Sequence, residues 1–180
     1  RLANEPDGRN LVCSRFCFAD KGGFEELMRL FKSLSSDHRF VKFSTPANPA
    51  MQYFMPEWSL GAVSWSVQSA GMVRVVNVKS VLEKARYVGS GTVCVAVQDS
   101  QIPENNDSFT VAFAGGRAVS VERGGEADVV MTVPTFSALI AGVWDFTEAR
   151  GAFPGLEVQK ENPCLKQVFF RKPLMIADYF

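Results

Sequence analysis

Between residues 92 and 134 four β-branched runs follow one another at short intervals, TVCVAVQD, SFTVAFAGG, RAVSVERGG and DVVMTVP, and this succession constrains the chain more than any other feature. Each run has strand length and is bounded by Gly, Pro, Asn or Asp, the residues that interrupt sheets. A parallel crossover needs a dozen or more residues, so links this short predict antiparallel pairing. AGGR is a tight hairpin candidate.

Both flanks of these strands read as helical. Upstream, MVRVVNVKSVLEKARY gives a strand, then Ser80 as helix N-cap with Glu83 three residues on, the spacing of a capping box. Downstream, TFSALIAGVW, DFTEARGAF and NPCLKQVFFR each place a capping residue (Thr135, Asp145, Asn162) before apolar residues at helical spacing, with Pro163 suited to a first helical position. Residues 72–170 are therefore expected to form an α+β unit in which short helices cover one face of an antiparallel sheet. KPLMIADYF follows as an extended, partly hydrophobic tail that should dock.

The first 70 residues have a different grammar. NLVCSRFCFAD alternates as a strand, with Cys13, Arg15 and Cys17 on one face and Phe16 and Phe18 on the other. From Phe24, Leu27, Met28, Leu30, Phe31 and Leu34 fall on one side of a helix, and RFVKFSTP reads as a strand ending in a turn. PAMQYFMPEW reads as a helical turn or two. This is an α/β layout without enough sheet neighbours to cover it, hence part of a larger domain. The polar opening RLANEPDGRN, without Met, agrees with a segment taken from the interior of a longer chain.

Composition narrows the function classes. Nineteen basic and nineteen acidic residues leave no net charge and no basic footprint for nucleic acid. No run is long and apolar enough to span a bilayer, and no targeting segment is visible. Cys13, Cys17, Cys94 and Cys164 lack zinc-site spacing and read as reduced structural thiols, which favours a cytoplasmic location.

The local candidates for chemistry all have plainer readings. Gly89-Ser90-Gly91 leads from a helix into a strand, the reverse of a dinucleotide-binding turn, and so reads as a connector. His38, the single histidine, lies between a helix and a strand with Asp37 beside it as a possible orienting group; a polar connector is the simpler reading. Glu104, Asn105, Asn106 and Asp107 resemble a cation loop but lack its ligand spacing, so a solvated turn and no metal is expected. Fifteen Phe, three Tyr and three Trp fit either a filled core or an apolar cavity able to take a lipid, the filled core being the simpler.

The order MVRVVNVKSVLEKARYVGSG, NNDSFTVAF, RAVSVER, DVVMTVPTFSALIAGV and a tail ending DYF resembles the C-terminal domain of the enhanced intracellular survival family of GNAT acetyltransferases. The resemblance implies a sterol carrier protein-like domain over residues 71–180, preceded in residues 1–70 by the remainder of a second GNAT-like domain. It implies acetyl-CoA as co-substrate, bound outside this chain in a missing N-terminal GNAT domain; the pyrophosphate-holding R/Q-x-x-G-x-G/A loop does not occur here. A primary-amine acceptor and a homo-oligomer are the further partners implied. In this family the general base is taken to be the chain's own terminal carboxylate, which here is that of Phe180, with Asp178 and Tyr179 lining the substrate side. A tyrosine acid of the N-terminal domain has no counterpart in these residues. Two other functions fit the same sequence, a sterol-carrier-type lipid-binding module and a structural or oligomerisation domain.

Overall fold

The structure is a computed structural model and describes residues 2–4, 8–14, 16–45, 64, 66, 71–172 and 174. The chain divides into two compact units, the first within Arg1–Gln68 and the second spanning Ser69–Leu174.

In the first unit, strands β1 (Leu2–Asn4), β2 (Asn10–Cys13) and β3 (Phe40–Phe43) form a sheet in that order. β1 runs antiparallel to β2, and β2 parallel to β3. Helix α1 (Lys21–Ser33) makes the crossover that a parallel pair requires. Asp20 caps it by accepting from the Gly23 amide at 2.9 Å. Its inner face buries Phe24 and Phe31 with Leu11, Cys13 and Phe16, and the rings of Phe16 and Phe43 stack 4.4 Å apart.

Two expectations fail here. Leu30 is exposed, because Phe24 and Phe31 centre the buried stripe one residue away from it. The strand through NLVCSRFCFAD ends at Cys13, and the chain then turns so that Phe16 enters the core while Cys17 faces solvent. The even spacing of the two cysteines therefore does not give them a common face. All four cysteines are free thiols.

The second unit begins with α2 (Val78–Lys84), followed by β4 (Gly91–Gln98), β5 (Asp107–Ala114), β6 (Arg117–Arg123) and β7 (Val129–Thr132). Helices α3 (Val133–Ala141) and α4 (Phe146–Ala152), strand β8 (Leu156–Val158) and the short helix α5 (Leu165–Val168) complete it. The sheet order is β6-β5-β4-β7-β8. The β5–β6 hairpin turns on Gly115 and Gly116, with φ of 58° and 82°, the two positive values that a two-residue I′ turn demands.

The class is α+β, as expected, but the sheet is mixed rather than purely antiparallel. β7 does not continue the meander beside β6; it returns to the far edge of β4 and pairs with it in parallel, Val95 opposite Val129. Local turn spacing governs only successive strands, and the link 124–128 carries the chain past β5 and β4. β8, absent from the sequence reading, then pairs antiparallel with β7.

One face of this sheet carries Val93, Val95, Val97, Phe109, Val111, Phe113, Val129 and Met131 into a core closed by Leu82, Phe136, Leu139, Leu165 and Phe169. Phe109, Phe136 and Phe169 retain no solvent exposure, each worth about 1.5–3 kcal/mol of transfer free energy. Tyr87 stacks on Phe113 at 4.9 Å and donates its hydroxyl to the Leu82 carbonyl. Burial pushes that phenol up to about 12. The space between sheet and helices is thus filled with side chains.

Candidate functional site

Asp178, Tyr179 and Phe180, the residues to which the family resemblance gives a role, lie outside the described residues. What is described is the place from which their segment departs, and it is built by the ends of α3 and α4.

Helix α3 stops at Gly142, whose φ of 82° and ψ of 21° form a left-handed C-cap; its amide and that of Val143 bond back to Leu139 and Ala138. The last described residues of the chain pass directly over this cap. The Lys172 amide donates to the Gly142 carbonyl at 3.1 Å, and a Cβ on Gly142 would collide with the backbone nitrogen and Cβ of Lys172. Lys172 extends its ammonium to the Ile140 carbonyl at 2.8 Å, where the helix dipole favours a cation, and over the Phe170 ring at 4.8 Å. Burial lowers its pKa.

Asp145 begins α4 as predicted, in a reciprocal capping box with Glu148: Asp145 accepts from the Glu148 amide at 2.9 Å, and Glu148 accepts from the Asp145 amide at 3.1 Å. Glu148 holds Arg171 at the same time. Both oxygens take the guanidinium, Nε to Oε2 at 2.9 Å and Nη2 to Oε1 at 2.7 Å, a two-pronged carboxylate–guanidinium pair. Those Arg171 bonds and the Asp145 amide lower the pKa of Glu148, and the carboxylate raises that of Arg171. Arg171 also lies over the Trp144 ring. One residue earlier than Phe170, the Phe169 carbonyl accepts from the Phe146 amide at 3.0 Å.

The loop 104–107, with Asp99, is a hydrogen-bonded brace. The Asp99 carboxylate, shielded from solvent, accepts from Asn105, Arg74, Gln101 and Ile102 at 2.6–3.2 Å. Asn105, first among these, and the others bring its pKa down to about 2 against the cost of burial. Asn105 accepts in turn from the Val78 amide, Asn106 bridges both backbone groups of Asp99, and Asp107 pairs with Arg123. Arg74, Gln98, Ser100, Asn106, Thr132 and Pro134 border an open depression of about 650 Å³ beside this brace.

The remaining candidates stand apart. The His38 Nδ1 is buried without a hydrogen-bond partner among the described residues, so Asp37 does not orient it through that atom. Gly89 has a φ of 71°, and Gly91 opens β4 against the Cys164 sulfur, which leaves no room for a Cβ: the Gly-Ser-Gly run is a close-packed connector. Asp128 escaped the sequence reading altogether. Its buried carboxylate accepts from the Cys94 amide at 2.8 Å and from Asn162 at 2.9 Å, joining the start of β7 to β4 and to the turn before α5.

Similarity to known proteins follows this architecture. Residues 78–152 match the sterol carrier protein domain. The matched stretch runs from α2 to the end of α4 and so includes both Gly142 and Glu148. No curated protein matches the chain. Among solved structures, a GCN5-related N-acetyltransferase from Anabaena variabilis aligns over 99% of this chain and 46% of its own, with TM-score 0.83 and 19% identity. A probable N-acyltransferase from Enterococcus faecalis aligns over 99% of this chain and 45% of its own, with TM-score 0.77 and 19% identity. Eis1 from Mycobacterium abscessus aligns over 98% and 44%, with TM-score 0.76 and 16% identity. The chain therefore has the fold found in part of these proteins, and spans less than half the length of each.

Proposed function

We propose that this chain is the C-terminal part of an acetyl-CoA-dependent amine N-acetyltransferase and that it supplies the general base, the α-carboxylate of Phe180. The observation that carries the reading is the fold likeness over nearly the whole chain to a GCN5-related N-acetyltransferase and a probable N-acyltransferase. Residues 1–70 are the remainder of a GNAT-like domain on this reading, in keeping with the parallel β2–α1–β3 crossover, and residues 71–180 are the sterol carrier-like domain with its tail.

The chemistry asked of the chain is proton transfer. A primary amine is an ammonium ion at neutral pH and becomes a nucleophile only when a base within hydrogen-bonding reach removes a proton. An ordinary α-carboxyl, with a pKa of about 3.5, is a weak base, and burial away from water raises the pKa of such a group. Asp178 and Tyr179 line the acceptor side, where the acidic group favours a cationic amine. Acetyl-CoA, bound outside this chain, supplies the acyl group as a thioester. The intact enzyme is a homo-oligomer by the same family resemblance, and the free thiols suit a cytoplasmic location. Appending one residue after Phe180 in the intact enzyme displaces the carboxylate by about 3.5 Å and should lower kcat at least tenfold; unchanged turnover refutes the assignment.

A sterol-carrier role remains the alternative suggested by the domain match. It needs an apolar tunnel, whereas Phe109, Phe136, Leu139 and Phe169 pack fully buried between the sheet and the helices.

A further inference from the structure

We propose that the Glu148–Arg171 pair and the seat of Lys172 on the α3 C-cap form a positioning device that fixes the root of the C-terminal tail and thereby the reach of the Phe180 carboxylate. This rests on the reading of that carboxylate as the base. Three contacts converge on two consecutive residues: a two-pronged ion pair from Arg171 to α4, a backbone bond from Lys172 to Gly142, and an ammonium bond from Lys172 to Ile140. Each partner is held independently, Glu148 by the capping box and Gly142 by the close of α3. Such a concentration of directed contacts on two consecutive residues exceeds what closing the core requires, since Phe169 already completes it.

Magnitudes separate two ways in which the root could matter. Eight residues follow Lys172 up to and including Phe180, a span of at most about 28 Å. Releasing residues 170–172 back to the Phe169 anchor lengthens the free segment to eleven. For a flexible tether the local concentration of the end falls as roughly the −3/2 power of length, which lowers it less than twofold. For a tail held in register, a displacement of about 1 Å at the reacting atoms costs up to 100-fold. The device is built for the second case.

The test uses the intact enzyme with acetyl-CoA and a primary amine. Arg171→Ala should lower kcat tenfold or more while leaving the KM for acetyl-CoA unchanged, and should speed release of Phe180 by carboxypeptidase A at least fivefold. Arg171→Lys, which keeps the charge but loses the fork, should fall between it and the parent on both scales. Glu148→Gln, which can still complete the capping box, should follow Arg171→Ala. The same measurements on the enzyme extended by one residue keep the two ideas apart. Unchanged release in Arg171→Ala overturns the anchor, whatever happens to kcat. Faster release with kcat within twofold, in an enzyme that the extension inactivates, overturns positioning and leaves the base assignment standing. Full turnover of the extended enzyme overturns the base assignment, and positioning of it falls as well.

Discussion

Substituting Gly142 by Ala introduces two separable penalties at one atom. The residue sits at φ 82°, ψ 21°, where a side chain costs about 1–2 kcal/mol. Its Cβ would also occupy space taken by the Lys172 backbone, which has no rotamer by which to withdraw. Moving Lys172 away sacrifices its amide bond to Gly142, about 0.5–1.5 kcal/mol, and weakens the charged bond to Ile140, about 1.5–3 kcal/mol before allowance for partial exposure. The expected loss is about 2–5 kcal/mol, read as a lower urea midpoint at unchanged m-value. Gly142→Asn is the control. Asparagine tolerates the left-handed region but carries the same Cβ, so it should recover only about 1 kcal/mol of the loss. Near-parental stability of Gly142→Asn would refute the close approach of Lys172 and leave backbone conformation as the sole reason for glycine.

Two further outcomes are expected. The depressed pKa of Asp99 means that its contribution is complete above its ordinary value of 3.8 and is lost as pH falls towards about 2; Asp99→Asn should flatten that part of the acid-unfolding curve, and an unaltered curve contradicts the brace. Asp128→Ala strands the buried Cys94 amide and should cost about 2–4 kcal/mol in urea unfolding, against about 1 kcal/mol for Asp128→Asn, which retains an acceptor oxygen. Equal losses would show that the carboxylate's bonds are not what holds β7 to β4.

The strands of the second unit were legible because alternation and β-branching are local signals, and α1 and the Asp145 cap were legible for the same reason. Pairing order was not. Nothing in DVVMTVP distinguishes a strand beside RAVSVER from one beside TVCVAVQD, since the choice is made by which surface remains to be buried. The start of α2 illustrates a tertiary override. Ser80 and Asn77 are both good caps, but Asn77 accepts from the Ser80 amide while Asn105, from a distant loop, takes the Val78 amide, and the helix begins three residues earlier than expected. Thr135 yields likewise to Thr132 as the cap of α3, and the regular turn of α5 starts at Leu165, beyond Pro163. At the tail root, D-x-x-E could be read as a capping box, but Arg171 lies 23 residues from Glu148 and no periodicity connects them.

The parallel pairing of β4 with β7 also bears on how the domain comes off the ribosome. β4, β5 and β6 can zip together as soon as residue 123 has emerged, because their turns are short. The opposite edge of β4, with the apolar Val93, Val95 and Val97 along it, then waits until β7 has been synthesised. During that interval the nascent sheet offers an unpaired, β-branched margin to any neighbouring chain. Timely closure by DVVMTV therefore separates productive folding from misassembly, and slow translation across the link 124–128 would widen the opening.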